Sequence, residues 1–203
     1  KIIVYVSQSQ NTPGTLGDSK SNTWSVAKSG NSVNLRSTIF YCDNPTVDAA
    51  HTFTLTGTVA ATFPSLSVTA WSGGGTGVDQ TEAKISNVGV STITPTNSIT
   101  PTQNNELIIF SDITAVAGVA ATNSVDSGMT LLHNLDVVGA NAYGIANSYK
   151  IQTTAAAIQP AYTWTPASET SCVIASFTAG TIASDDVVAA DSITVSDSPS
   201  LVL

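Results

Sequence analysis

The chain has 203 residues, enough for one sizeable β-sandwich or one domain with a short appendage. Hydrophobic residues make up 42% and charged residues only 10%, against about 25% in ordinary soluble domains, so its polar surface comes from Ser, Thr, Asn and Gln. Six cations (Lys1, Lys20, Lys28, Arg36, Lys84 and Lys150) face 14 acids, and no basic cluster exists for phosphate, which disfavours nucleic acid and anionic membrane surfaces as partners.

The net charge of −8 is unevenly placed. Residues 1–100 carry five cations and five acids, whereas residues 101–203 carry Lys150 against nine acids. No stretch approaches the roughly 18 uninterrupted apolar residues of a membrane span, so membrane insertion is not expected.

Strand alternation recurs along the chain and helical periodicity is nearly absent. The first run, Ile2–Val6, is too short for a signal-peptide core and reads as a strand. Because the chain begins inside it, Lys1 reads as a processed or truncated start. A turn at Asn11-Thr12-Pro13-Gly14 leads to runs at Thr23–Ala27 and Val33–Cys42, separated by Ser29-Gly30-Asn31. After Asp43-Asn44-Pro45 comes His51–Thr58, in which Phe53 and Leu55 alternate with threonines as a half-buried antiparallel strand requires. Leu66–Trp71 follows and ends on Ser72-Gly73-Gly74-Gly75.

That glycine run, continued through Thr76-Gly77, lacks the Gly-Lys-Ser/Thr and helix of a phosphate loop and reads as a flexible loop. Just beyond it, Asp79, Gln80 and Glu82 offer oxygen ligands that calcium takes in loops of extracellular sandwiches, although the spacing lacks the aspartate density of a dedicated site. Ile93-Thr94-Pro95-Thr96 recurs as Ile99-Thr100-Pro101-Thr102, and its prolines suit a sheet edge or an extended crossing between sheets.

Further runs stand at Glu106–Ile113, Met129–His133 (after Asp126-Ser127-Gly128), Ala142–Ile151, Tyr162–Thr165 and Cys172–Thr178. In the last, Val173, Ala175 and Phe177 share a face. About ten strands with regular turns predict two packed antiparallel sheets with jelly-roll connections.

The sandwich is expected to span residues 1–180. Residues 181–203 form an acidic Ser/Asp/Val connector, or the start of a following domain, with four aspartates and no cation. Within it Ser192-Ile193-Thr194-Val195-Ser196 alternates like a strand with nothing nearby in sequence to pair with, and the chain ends on Leu201-Val202-Leu203. Ile193, Val195, Leu201, Val202 and Leu203 are therefore candidates for a strand that joins another chain.

Catalytic signals are weak. No Gly-x-Ser-x-Gly elbow exists, and neither His51 nor His133 sits in a recognisable motif. The three glutamates, Glu82, Glu106 and Glu169, suggest no carboxylate pair across a cleft. Cys42 and Cys172 are either a disulfide closing a loop of well over a hundred residues, worth on the order of 4–5 kcal/mol, or two separate buried thiols. Two isolated cysteines and two isolated histidines do not make a zinc site. Among the aromatics, Trp71 ends a strand at the glycine run, where it serves either as a core plug or as a platform for a sugar ring.

Asp18-Ser19-Lys20-Ser21-Asn22-Thr23-Trp24 resembles a sandwich module of secreted bacterial and phage virion proteins. The resemblance continues through Ser37–Cys42, Val68–Gly73, Asn105–Ile109 and Ala175–Phe177 and covers most of residues 1–180. It implies a jelly-roll-like body preceded by a further strand or two, and a tail similar to linkers of repetitive virion and cell-surface proteins. The expectation is a non-catalytic structural or decorating subunit of an extracellular, cell-surface or virion assembly, with other protein subunits (its own copies among them) as partners and no cofactor. The alternative is a carbohydrate-binding or adhesin module that takes surface glycans at Trp71, Asp79 and Gln80.

Overall fold

A computed structural model describes residues 1–9, 14–56, 64–115, 124–137, 143–180 and 192–193. Among them the regular elements are strands: β1 (Ile2–Ser9), β2 (Thr15–Asp18), β3 (Ser25–Asn31), β4 (Leu35–Cys42), β5 (Phe53–Thr56), β6 (Ser65–Ala70), β7 (Gly74–Ile93), β8 (Glu106–Ala115), β9 (Ser124–Val125), β10 (Thr130–Val137), β11 (Tyr143–Gln152), β12 (Tyr162–Ala179) and β13 (Ser192–Ile193). One sheet has the order β13-β6-β1-β4-β3, and the other has β10-β11-β8-β12-β7 with β9 beside β12. A two-stranded ribbon, β2-β5, stands apart from both. The protein is an all-β antiparallel sandwich.

Alternation explains which faces meet. Ile3, Tyr5 and Ile39 of the first sheet face Leu107, Ile109, Val173, Ala175 and Phe177 of the second, and these residues form the central core. The opposite side chains, Ile2, Val4, Val6, Phe40 and Val68, lie on the outer face of the first sheet under Leu16 and Phe53 of the ribbon. The outer face of the second sheet is covered as well. Its Ile108, Phe110, Cys172 and Ile174 pack with Ile93, Ile99, Met129, Ile158, Tyr162 and Trp164. The last group comes from crossing segments and from the bent ends of β7 and β12, whose pairing carries several register shifts between Thr163 and Ala179. Tyr162 stacks on Phe110 with ring centroids 4.4 Å apart, and its hydroxyl donates to the Phe110 carbonyl at 2.9 Å.

The Ile-Thr-Pro-Thr repeat acquires a role from this third layer. Ile93 and Ile99 are both buried anchors, and Ile99 exchanges backbone hydrogen bonds with Ile158. The repeat is thus an extended crossing held against the sheet.

Two expectations are corrected, and the alternatives for the cysteines are resolved. The glycine run is not a free loop, because Gly74 opens the 20-residue β7. Only Gly73 and Gly77 of that run take positive φ, 71° and 85°. The runs at Tyr162–Thr165 and Cys172–Thr178 are one strand, β12. Cys42 and Cys172 are both buried free thiols. Cys42 ends β4 in phase with Phe40 on the outer face of the first sheet, and Cys172 belongs to the outer face of the second. Packed sheets lie about 10 Å apart, beyond the Cα separation that a disulfide tolerates.

β6 supplies a partner for Ser192 and Ile193 of the tail. Ser192 stands opposite Thr69 and Ile193 opposite Val68, antiparallel, on the edge of β6. Val195, Leu201, Val202 and Leu203 lie outside the described residues, as do Asn11–Pro13 of the first turn, Gly57, Thr58 and Ala142.

Candidate functional site

Two regions gather polar or ligand-sized features. The first is the end of the sandwich around the β6–β7 turn. Trp71 follows β6 and is buried; its indole N–H donates to Thr69 Oγ1 at 2.8 Å, and its ring lies 4.9 Å from that of Tyr149. Beside it lies a cavity of about 170 Å³ lined by Trp71, Leu107, Ile151 and Phe177 with the backbone of Gly73 and Gly74. Ordinary ligand pockets are roughly 300–1,000 Å³, so this one suits only a small apolar group. With its N–H already satisfied, Trp71 works mainly as a core plug.

At the same end Lys1 Nζ pairs with Asp43 and lies 5.1 and 5.0 Å from the ring centroids of Tyr41 and Phe177. Asp43 also accepts the Gly77 N–H at 2.8 Å. The carboxylate thereby fixes the positive-φ glycine near the start of β7.

Farther along β7, Asp79 meets a partner that sequence spacing did not reveal. It accepts the Thr102 N–H at 2.7 Å and the Gln80 side-chain amide at 3.3 Å, and it lies near enough to Glu106 for the two carboxyls to influence each other. Glu106 is fully buried at the start of β8 and accepts the Gln103 N–H at 3.0 Å. Burial raises its pKa, and the neighbouring Asp79 charge raises it further against the hydrogen bonds of Ser176 and Gln103. Burial opposes ionisation of Asp79 too, but hydrogen bonds from Thr102, Gln80 and Glu106 outweigh it and hold the carboxyl below its usual range. On acidification Glu106 is therefore the first of the two to take a proton.

Glu106 is fully buried, so a sugar cannot lie between it and Asp79 as it lies across the roughly 5–9 Å gap of glycosidases. Of the calcium candidates, Asp79 and Gln80 come together, whereas Glu82 is held by the Asn97 side chain at 2.9 Å. Among the described residues no three His, Cys, Asp or Glu side chains gather as a metal set.

The second region is the edge formed by β6. Ser67 projects inward and its Oγ lies 2.6 Å from His133 Nδ1 on β10, which joins the two sheets along one side. Burial lowers the His133 pKa. Ser67 sits in mid-strand and is itself buried, so this contact lacks the exposed, sharply turned nucleophile of a hydrolase. His51 serves elsewhere, stacking on Phe53 with centroids 4.4 Å apart and approaching Asp18 at 3.4 Å. Glu169 accepts from Ser32 Oγ at 2.7 Å and Asn34 Nδ2 at 2.9 Å, tying β12 to the β3–β4 turn.

The motif that carried the family resemblance is organised by Asp18. Its carboxylate accepts backbone N–H groups of Lys20 and Asn22, the Asn22 amide and the Trp24 indole, all within 3.1 Å. The motif is a structural loop in this chain. No family model, no curated protein and no solved structure matches the chain.

Proposed function

We propose that this chain is a non-catalytic structural or decorating subunit of an extracellular or virion-surface assembly, joined to neighbouring subunits through paired strands. The observation that carries the reading is the seating of Ser192 and Ile193 on the β6 edge. A strand edge that accepts such a short strand is also a template for another chain. The conspicuous carboxylates support the same reading. Asp18, Asp43, Asp79, Glu106 and Glu169 are each engaged in internal contacts that hold loops and turns. Light scattering on the full chain over a concentration series tests it: the expected result is growth in mass with concentration, and a constant mass of 20.7 kDa contradicts it.

A further inference from the structure

We propose that Asp79 and Glu106 form a proton-operated clasp on the turn at residues 101–105, closed while Glu106 Oε2 carries a proton and loosened when both carboxyls are ionised. The clasp stands apart from the assembly reading above.

The grip is geometric. Asp79 Oδ2 accepts the Thr102 N–H at 2.7 Å and Glu106 Oε1 accepts the Gln103 N–H at 3.0 Å, so two carboxyls hold consecutive amides of one turn. That turn joins the crossing segment anchored at Ile99 to the start of β8. Asp79 reaches it from a β-bulge. Thr81 stands opposite Ala175 and Val78 opposite Phe177, which leaves Asp79 and Gln80 together opposite Ser176. The Gln80 N–H donates to Ser176 Oγ at 3.1 Å and fixes the bulge.

Three of the four carboxyl oxygens are engaged. Asp79 Oδ1 takes the Gln80 side-chain amide, and Asp79 Oδ2 and Glu106 Oε1 take the turn. Glu106 Oε2 is buried with no hydrogen-bond partner among the described residues. Ionised, that oxygen carries charge without a donor in a place closed to water, and a proton on it removes the cost.

The charged groups nearby do not offset a second negative charge. On β7, Glu82 accepts from the Asn97 side chain at 2.9 Å. On β11, Lys150 donates to the Ser127 carbonyl at 3.0 Å, and Gln152, opposite Glu106, is neutral. Lys1 Nζ is paired with Asp43. Burial and the Asp79 charge both raise the Glu106 pKa, so its contribution to stability is complete below pH ~4.5 and is lost as pH rises through the raised value. Burial opposes ionisation of Asp79, but its hydrogen bonds outweigh that, so its contribution is present above pH ~3.8 and is lost as pH falls through the lowered value. The clasp is tightest in the interval between the two.

Hydrogen exchange of the Thr102 and Gln103 amides in the full chain, followed by NMR and corrected for intrinsic rate, tests the clasp. Because opening releases one proton, protection is expected to fall by up to about tenfold per pH unit above pH ~4.5 until Glu106 has ionised. Glu106→Gln, which keeps the shape and cannot ionise, should hold protection flat over the same range. Carbon-13 titration of the Glu106 carboxyl adds a readout in the unaltered protein. Titration above the ordinary glutamate range, moved downwards in Asp79→Asn, supports the clasp. Wild-type protection that stays flat up to pH ~8, a fall that Glu106→Gln reproduces, or a Glu106 carboxyl that titrates in the ordinary range overturns it.

Discussion

The indole N–H of Trp24 donates to Asp18 Oδ2 at 3.0 Å, and that contact closes a loop in which one carboxylate serves four donors. Burial opposes the charge, but the bonds from Asn22, Lys20 and His51 outweigh it and hold the Asp18 carboxyl at about 2. Trp24 then lies edge-on to Phe53, 5.8 Å between centroids, beneath the β2–β5 ribbon. Asp18→Ala is expected to lower unfolding free energy by about 2–3 kcal/mol, because the orphaned donors bonded a charged group. For a depressed carboxylate the contribution is complete above pH ~4 and is lost as pH falls through about 2, so wild type and variant should converge in strong acid. Urea titrations at pH 7 and pH 2 measure both effects.

A polar belt crosses the centre of the sandwich. Ser111 Oγ donates to Asn147 Oδ1 at 2.7 Å and lies 3.4 Å from Ser37 Oγ, all fully buried. Nearby on the same inward faces, Ser171 Oγ has no hydrogen-bond partner. Ser111→Ala should destabilise by about 1–2 kcal/mol, since it leaves the Asn147 carbonyl unpaired. Ser171→Ala should be neutral or slightly stabilising, since it removes an unpaired hydroxyl. Equal losses in denaturant titrations would contradict this account of the belt.

Strands with one alternating face were legible in the sequence. Phe53 and Leu55, and Val173, Ala175 and Phe177, stand on the faces that period-two patterning assigned them. β7 was not legible, because Gly74, Gly75 and Gly77 look like loop residues and its many half-exposed side chains carry no alternation. What holds it is backbone pairing with β12, which no local pattern reports. The Asp79–Glu106 pair joins residues 27 positions apart through the β7–β8 crossing, so single-sequence spacing could not assemble it. The Asp18 loop did leave a signal, since Asp and Asn within an Asp-x-x-x-Asn-x-Trp run are natural bonders of nearby backbone.

Asp112 and the half-buried His133 contribute to opposite limbs of the pH dependence. Asp112 is fully buried; burial raises its pKa well above the usual value, against one hydrogen bond from the Ala146 N–H. A raised acid keeps its proton in the folded state, so stability falls as pH rises above ~4. Burial lowers the His133 pKa, so its contribution is complete above pH ~6.5 and falls as pH drops below that. Asp112→Asn should flatten the neutral limb and raise the midpoint at pH 7 more than at pH 4. Thermal melts across pH 4–8 read the change, and an unchanged profile contradicts it.

Free thiols on opposite outer faces predict a simple chemical result. Alkylation of the denatured protein without reductant should add two adducts, at Cys42 and Cys172. Native protein should react slowly, because burial raises the pKa of both thiols. A mass unchanged after alkylation in denaturant would show a disulfide and contradict the placement of these residues.

Assembly through strand pairing is tested most directly by sedimentation equilibrium of the full chain beside its Ile193→Pro variant. Proline removes a ladder donor at the register position of Val68 while leaving the sandwich sequence intact. The predicted result is concentration-dependent association of the full chain that the substitution weakens at least about tenfold, the loss expected when a strand position costs some 1.4 kcal/mol or more. Compact monomers for both proteins at every concentration would contradict the structural role.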